Sequence, residues 1–367
     1  AGDVYNQEDA SVSAQLALRD GFRRLESLSI PVFLVHGNHD PLASRLRSVR
    51  WPGNVTVFGE LPDAVPVFRK GEGTPLAIIH GASHASGRET RNLAALFRRT
   101  EACGLHVGLL HATPGDADGV ARYAPFSQGD LKASGMDYWA LGHIHDRREV
   151  CREPLAAYPG CTQGLHINEP GEKGCLLVTA EARPDGGYAV RTSFRPLGPA
   201  VWKTLDMDLG GAASLDELEN RLRTGLDRAA AEVWSGCEML LVRLRLQGRT
   251  ELDGLLRKGT TCAELADRLR EDGSGVPRIW IKDIDVATRP CVERGALLER
   301  EDLLGEVFRL SEAARTASGL QALREGPLAP LFAHARAGKA LEPLTDEELA
   351  RLLDDAESLC LDLLEND

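Results

Sequence analysis

Hydrophobic positions follow two different spacings in the first part of the chain. Between residues 10 and 28, Leu18, Phe22 and Leu25 recur at the three- to four-residue spacing of an amphipathic helix. Residues 30–35 then form a short apolar run that predicts a buried strand. Similar runs predict strands at 76–79, 107–110, 138–141 and 175–178, and helices are predicted near 88–102 and 127–134. The alternation of strand and helix indicates an α/β domain.

The pattern changes after about residue 195. Strands are predicted near 202–209, 238–246 and 278–286, with helices at 214–233 and 262–270 between them. Beyond about residue 300 the spacing of apolar positions is helical throughout. We therefore predict three regions, namely an α/β domain over 1–195, a smaller α+β domain over 196–290 and a helical region over 291–367.

The last predicted helix, residues 345–365, is acidic and amphipathic. Thr345 and Glu348 have the spacing of a capping box, and an apolar stripe follows them along one face. Such a stripe must be buried somewhere. Packing on its own chain and docking on a partner protein are both open at this point.

Charge is distributed unevenly along the chain. The net charge of −12 by itself argues against nucleic acid, yet residues 1–195 carry only −1 and residues 196–367 carry −11. No apolar run approaches the roughly 18 residues of a membrane span, so no membrane partner is expected. No two of the eight cysteines lie closer than ten residues apart, which is typical of a reduced, cytoplasmic protein.

Nine of the ten histidines lie in the first 166 residues, which directs the search for chemistry there. Several of them stand in turns that follow predicted strands. These turns are His36-Gly37-Asn38-His39-Asp40, His80-Gly81, His111-Ala112 and Gly142-His143-Ile144-His145. Ligands of α/β folds bind where loops leave the strand ends, so these turns are expected to converge on one site.

Together with Gly2-Asp3, these turns offer a carboxylate, an amide oxygen and imidazoles. That mixture suits Mn²⁺, Fe²⁺ or Zn²⁺ better than Ca²⁺ or Mg²⁺ alone, and the lack of cysteine ligands argues against structural zinc. Two metal ions can lower the pKa of a water and neutralise a phosphodiester at the same time. The pattern thus favours metal-dependent phosphoester hydrolysis.

The order Gly-Asp, Gly-Asn-His-Asp, His and Gly-His-x-His resembles that of the calcineurin-like metallophosphoesterases. The segments at 31–41, 138–145 and 158–174 are similar to those of the SbcD/YhaO group of DNA-repair exonucleases. The resemblance covers about residues 1–195. It implies a two-sheet αββα sandwich, followed by a small α+β capping domain and a C-terminal helical segment.

The resemblance also implies a role for each metal ligand, with two divalent ions, Mn²⁺ being favoured. Asp3 would bridge the two ions. Asn38, His111 and His143 would complete the shell of the second ion. His145 would bind the first ion.

Two further residues would act on the substrate rather than on the metal. His39 would face the scissile phosphate and protonate the leaving oxygen, and Asp40 would orient its ring. The family supplies two ligands of the first ion from an Asp-x-His motif on the opening strand, which nothing before Asp3 provides. We therefore expect a chain truncated at its N-terminus, lacking its first strand, with little or no nuclease activity by itself.

The partners that the resemblance implies are DNA and an SMC-like ATPase of the SbcC/YhaN type, and a homodimer is a further alternative. Two other functions stay open at this point. One is a phosphodiesterase or phosphatase for a small nucleotide or a phosphoprotein, which would use the same residues. The other is a scaffold without catalytic activity that recruits the ATPase. The remaining histidines, such as His36, His80 and His84, are interpreted first as structural.

Overall fold

The computed structural model describes most of the chain. The described residues are 1–5, 11–44, 49–116, 121–184, 186–271, 275–291, 294–334 and 344–364. The helices are α1 (Val12–Ser27), α2 (Gln128–Ala133), α3 (Leu215–Ala231), α4 (Asp253–Leu256), α5 (Thr261–Glu271), α6 (Arg294–Leu298), α7 (Leu303–Ala314), α8 (Ala317–Glu325), α9 (Ala329–Ala333) and α10 (Asp346–Leu364). The strands are β1 (Val32–Leu34), β2 (Val55–Val57), β3 (Asp63–Phe68), β4 (Pro75–Ala82), β5 (Leu105–His111), β6 (Tyr138–Gly142), β7 (Arg148–Arg152), β8 (Leu155–Tyr158), β9 (Gly174–Ala182), β10 (Tyr188–Pro196), β11 (Ala200–Asp208), β12 (Met239–Thr250) and β13 (Arg278–Pro290).

A six-stranded mixed sheet forms the frame of the first part of the chain. Its strand order is β3-β4-β5-β6-β8-β7, in which β4, β5, β6 and β8 are parallel and the two edge strands are antiparallel to their neighbours. Leu110, Trp139 and Leu141 are fully buried in the largest cluster of this core. Continuous apolar runs are what a parallel sheet buried on both faces requires, which explains the predicted strands.

The parallel register decides where the strand-end turns meet. His111, the last residue of β5, pairs with Gly142, the last residue of β6. The residue after each strand therefore leaves the sheet at the same edge. A separate parallel pair, β1 with β2, leads into the turn at 36–40, and Val35 and Phe58 beside it are buried against Leu109 of β5.

The later strands form smaller sheets. Strands β9 and β10 make an antiparallel hairpin, and β11, β12 and β13 form a three-stranded sheet with β12 in the middle. Helix α3 buries Leu218, Leu222 and Leu226, which recur every four residues. Clustering of contacts divides the chain into two compact units, residues 1–207, 222–245 and 262–285 in one and 208–221, 246–261 and 286–367 in the other.

Helix α10 packs on its own chain along one face. Leu361 joins a core cluster with Leu297, Leu304 and Phe308 from helices α6 and α7. The capping box at its start is confirmed, since the Thr345 N–H donates to Glu348 Oε2 at 2.7 Å and the Glu348 N–H to Thr345 Oγ1 at 3.2 Å.

The mixed α/β fold with a C-terminal helical segment confirms the predicted class. The helix predicted near 88–102 is wrong, because this segment forms only a short 3₁₀ turn at Ala94–Leu96. Leu93 and Phe97 have helical spacing and are buried, but they flank this short turn rather than lying in a helix. The backbone of Phe97 is extended. The domain boundaries at 195 and 290 stay predictions. Among the helices described, none has the length and apolar character needed to cross a membrane.

Candidate metal centre

Side chains from four separate segments of the chain converge at the carboxyl edge of the sheet. His111 Nε2 lies 3.2 Å from Asp3 Oδ2 and 3.0 Å from Asn38 Oδ1. His143 adds a second imidazole, whose ring centroid is 5.1 Å from that of His111. Ligand atoms of Asp3, His111 and His143 all lie within 4.8 Å of one another. Four of the predicted metal ligands are therefore brought together.

Glycines allow the backbone to come this close. A Cβ on Gly37 would lie 2.2 Å from Asp3 Oδ1, and one on Gly2 would lie 2.5 Å from His111 Nδ1. Asp3 and His143 themselves have positive φ values, 51° and 104°. Non-glycine residues adopt this region rarely, and such strain is characteristic of functional sites.

The contacts of His111 place a proton on one of its ring nitrogens. Nδ1 lies 2.9 Å from the carbonyl oxygen of Ala1, which can only accept, so the proton is on Nδ1. Nε2, on the other side of the ring, lies 3.2 Å from Asp3 Oδ2 and 3.0 Å from Asn38 Oδ1. His84 Nε2 also donates to the His111 carbonyl oxygen at 2.7 Å, which holds the end of β5 in place.

Electrostatics keep this group of ligands in the state that coordinates metal. Burial, followed by the neighbouring His111, lowers the pKa of His143 to about 4, so its ring is neutral near pH 7. For Asp3, burial would raise the pKa, but the hydrogen bond and charge of His111 and the His39 N–H outweigh it and the pKa is lowered. The site thus offers an ionised carboxylate beside neutral imidazole.

Asp40 and His39 occupy opposite sides of the same turn. The Asp40 carboxylate is buried and accepts from the Gly37 N–H at 2.7 Å, the Asp3 N–H at 3.1 Å and the Val4 N–H at 3.0 Å. These contacts show that Asp40 ties the turn at 36–40 to the segment carrying Asp3. Orientation of the His39 ring by Asp40 stays a prediction. The His39 side chain is exposed, while its backbone N–H donates to Asp3 Oδ1 at 2.9 Å.

His145 does not belong to the group formed by Asp3, His111 and His143. Its Nδ1 lies 2.5 Å from Glu169 Oε1, and ligand atoms of His145, Cys161 and Glu169 lie within 4.8 Å of one another. Its predicted role as a ligand of the first ion stays a prediction. Burial, followed by the charge of Glu169, raises the pKa of the Cys161 thiol.

The structure gives contacts for two of the histidines interpreted as structural, and that interpretation stays a prediction. His80 is buried and stacks on His106 with ring centroids 5.1 Å apart. The backbone N–H of His36 donates to Ser83 Oγ at 3.0 Å, and its ring Nδ1 lies 3.7 Å from Asp40 Oδ2.

The donors at Asp3 fit a divalent cation. Asp3 Oδ2, Asn38 Oδ1 and His111 Nε2 face one small volume, and the protonated Nδ1 of His111 lies on the far side of its ring. A divalent cation can bind these three atoms together, and mixed oxygen and imidazole donors suit a borderline metal. A backbone carbonyl that sets the tautomer of a metal-binding imidazole is a recurrent arrangement.

Comparison with known proteins agrees with this site. The family model for calcineurin-like phosphoesterases matches residues 1–147, which include the converging turns. The chain belongs to the calcineurin-like metallophosphoesterases, a family of hydrolases. Within that family it is of the YhaO type, because the model for the middle domain of metallophosphoesterase YhaO matches residues 202–289.

Two relatives cover most of the chain. The uncharacterized metallophosphoesterase YhaO of Bacillus subtilis is 32% identical over 333 residues, 89% of this chain and 78% of the relative. The DNA double-strand break repair protein Mre11 of Haloferax volcanii is 24% identical over 336 residues, 86% of this chain and 68% of the relative.

Sequence reasoning missed the residues that hold the ligands. Glu169 was recognised as part of a family-like segment, but its contact with His145 spans 24 residues and leaves no local signal. The Ala1 carbonyl and His84, which position His111, were missed for the same reason. Contacts between turns depend on strand register, which spacing along the chain does not reveal.

Proposed function

We propose that this metallophosphoesterase hydrolyses phosphodiester bonds of DNA in a repair reaction, using two divalent ions, with Mn²⁺ as the favoured metal. The observation that carries the proposal is the convergence of Asp3, Asn38 and His111 on one cation site at the edge of the sheet. The His39 side chain, two residues from Gly37 in the turn that carries Asn38, is exposed.

The residues present divide the chemical work among them. Asp3, Asn38, His111 and His143 would hold divalent metal, which when bound supplies Lewis acidity and activates water near neutral pH. His39 lies at the rim, tied to Asp3 through its backbone N–H. Its side chain is exposed, and we expect it to give a proton to the leaving oxygen of the phosphodiester.

The choice of DNA rests on similarity over nearly the whole chain rather than on the site. The Haloferax relative, by its name a DNA double-strand break repair protein, matches 86% of this chain, well beyond the 147 residues of the catalytic family model. A small-molecule phosphodiesterase would share the site but has no need of the remaining regions. We extend the proposal to a cytoplasmic complex with an SMC-like ATPase, bound through the C-terminal helices.

The test is digestion of end-labelled single- and double-stranded DNA by the full-length natural protein with Mn²⁺. We expect cleavage that EDTA abolishes. The His39→Ala variant should bind Mn²⁺ with wild-type affinity and lose cleavage at least 100-fold. His143→Ala is the matched variant that should lose both, because it removes a ligand.

Two results would contradict the proposal. Hydrolysis of small phosphodiesters such as bis(p-nitrophenyl) phosphate, with no cleavage of either DNA, would favour the nucleotide phosphodiesterase. Mn²⁺ binding with no hydrolysis of any phosphoester would favour the scaffold. Equal cleavage by His39→Ala would remove that residue from the mechanism.

A further inference from the structure

The loop between β5 and α2, described at 112–116 and 121–127, contacts one of the predicted metal ligands. The carbonyl oxygen of Ala121 lies 3.3 Å from His143 Nε2. The ring of Tyr123 packs edge-on against the His143 ring, with centroids 5.3 Å apart. His143 itself has a φ of 104°, a conformation that residues with a side chain rarely adopt. The loop therefore supports the ring of a residue whose own backbone is strained.

The contact with Ala121 decides which nitrogen of His143 is free to bind metal. A carbonyl oxygen can only accept a hydrogen bond, so this contact places a proton on His143 Nε2. An imidazole that binds metal is neutral and has one protonated nitrogen, so the nitrogen left to bind metal is Nδ1. The Ala1 carbonyl oxygen has the corresponding role at His111, where it places the proton on Nδ1.

One buried hydroxyl group holds Ala121 in place. Thr113, two residues after His111, is fully buried, and its Oγ1 donates to the Ala121 carbonyl oxygen at 3.2 Å. The same Oγ1 accepts from the Tyr123 N–H at 3.1 Å, and the Thr113 N–H donates to the Tyr123 carbonyl oxygen at 2.9 Å. A carbonyl oxygen can accept two hydrogen bonds, so Ala121 can bond to Thr113 and His143 at the same time.

Other backbone contacts of the loop do not involve this hydroxyl. The Ala124 N–H donates to the Glu89 carbonyl oxygen at 2.9 Å, and Ala124 is fully buried. The Gly115 N–H donates to the Phe126 carbonyl oxygen at 2.8 Å, and the Phe126 N–H donates to the Thr113 carbonyl oxygen at 3.1 Å. Loss of the Thr113 hydroxyl should therefore disturb the loop locally, where it meets His143.

We propose that Thr113 is a positioning residue for the metal centre. Its hydroxyl fixes the Ala121 carbonyl group, which keeps the proton on His143 Nε2 and leaves Nδ1 to bind metal. Contacts that set the tautomer of a metal-binding imidazole contribute about 10- to 100-fold to metal affinity. The inference rests on the proposed function only in taking His143 as a metal ligand.

The first test reads the tautomer directly and needs no metal. Proton–nitrogen correlation NMR spectra of the full-length natural protein, labelled at histidine and freed of metal with EDTA, show which nitrogen of each ring is protonated. We expect His143 to be protonated on Nε2 in the wild type and to become a mixture of both tautomers in Thr113→Val. Thr113→Ser, which keeps the hydroxyl, should restore the wild-type spectrum, and His143→Ala assigns the signal by removing it.

The second test is Mn²⁺ affinity, read by electron paramagnetic resonance. Thr113→Val should lose about ten-fold or more, and Thr113→Ser should bind Mn²⁺ as the wild type does. Thr250→Val is the matched control. Thr250 is also fully buried, donates to the Ala212 carbonyl oxygen at 2.5 Å and accepts from the Leu252 N–H at 3.2 Å. Its substitution should lower the melting temperature to a similar degree and leave Mn²⁺ affinity unchanged.

The outcomes separate this inference from the proposed function. Unchanged Mn²⁺ affinity in Thr113→Val, beside a loss in His143→Ala, would overturn the positioning role alone. Unchanged affinity in His143→Ala would overturn the ligand assignment and the role of Thr113 with it. A wild-type His143 protonated on Nδ1 would also refute the inference, and that measurement does not depend on whether Thr113→Val folds.

Discussion

At the scale of single residues, the metal centre depends on where the backbone can approach a side chain. Gly37 and Gly2 leave room for Asp3 and His111, and three backbone N–H groups converge on Asp40 behind them. The predicted metal ligands are ordinary residue types, but their positions are set by neighbouring residues that do not bind the metal. Changes at these supporting positions should therefore alter metal affinity before they alter the fold.

Gly37→Ala is predicted to weaken Mn²⁺ binding. The added Cβ would fall 2.2 Å from Asp3 Oδ1, so the carboxylate must move away from His111. We expect a loss of affinity of about 10- to 100-fold, the range for disturbed support of a metal ligand. Isothermal titration calorimetry with Mn²⁺ measures it.

Gly21→Ala is the matched control for that variant. Nothing lies within 4 Å of a Cβ at this position in α1. The substitution should leave Mn²⁺ affinity unchanged and stabilise the protein by about 0.5–1 kcal/mol, the helix preference of alanine over glycine. Equal affinity in wild type and Gly37→Ala would show that Asp3 does not depend on this close approach.

At the scale of elements, neighbouring strands and helices create buried polar pairs that no single element contains. His80 of β4 and His106 of β5 are joined by a hydrogen bond of 2.9 Å in the sheet, and Glu357 of α10 meets Arg294 and Arg315 across the helical region. Both arrangements couple stability to protonation or charge. Each can be tested apart from the metal centre.

Acid is predicted to destabilise the sheet through His80. Burial, followed by the charge of His106, lowers the pKa of His80 to about 4, whereas the unfolded side chain titrates near 6.5. Between these values the unfolded state binds more protons, so this contribution to stability is present above pH 6.5 and is lost as the pH falls toward 4. Denaturant unfolding from pH 7 to 4.5, without metal, should show a smaller loss in His80→Gln than in wild type. Parallel pH curves for the two proteins would exclude His80 as the cause.

Loss of the buried carboxylate in α10 should weaken the C-terminal helices. Glu357 is buried and Arg294 Nη1 lies 2.6 Å from its Oε2. Because the arginine is partly exposed, Glu357→Gln should cost about 2 kcal/mol, less than the 3–5 kcal/mol of a fully buried pair. Thermal unfolding of the variant measures the loss. Glu306→Gln, in an exposed pair with Arg309, should change stability by less than about 0.5 kcal/mol.

At the scale of the whole molecule, the acidic C-terminal half of the chain is the part that we propose to bind a partner protein. Helix α10 satisfies one face on its own chain through Leu361 but leaves other leucines in solvent. Leu359 is 56% exposed and Leu363 66% exposed. These two leucines are the residues through which the proposed ATPase contact can be tested without disturbing the core.

Leu359→Glu and Leu361→Glu form a matched pair for that contact. Leu359→Glu should abolish co-purification with the SMC-like ATPase and leave the melting temperature within about 1 °C of wild type, as for a surface substitution. Leu361→Glu buries a charge in the core cluster and should lower the melting temperature markedly. Retention of the ATPase by Leu359→Glu would place the contact elsewhere or remove it.

Much of the fold was predictable because local spacing determines it. The runs at 107–110 and 138–141 became β5 and β6, and the capping box at Thr345 starts α10. The segment 88–102 misled because Leu93 and Phe97 have helical spacing yet are buried from a turn. Periodicity indicates which residues face the core, but it does not distinguish a helix from a turn that buries the same residues.

The sequence by itself determined the chemistry of this protein. The residue types at Asp3, Asn38, His111 and His143, and their order along the chain, are sufficient to predict a divalent metal site and phosphoester hydrolysis. Only the tertiary structure decided which imidazole nitrogen of His111 faces the other ligands. It also decided that Asp40 accepts hydrogen bonds from backbone N–H groups, and that His145 lies beside Glu169 and Cys161. Donor types are properties of single residues, whereas tautomers and partners are set by atoms brought together from distant turns.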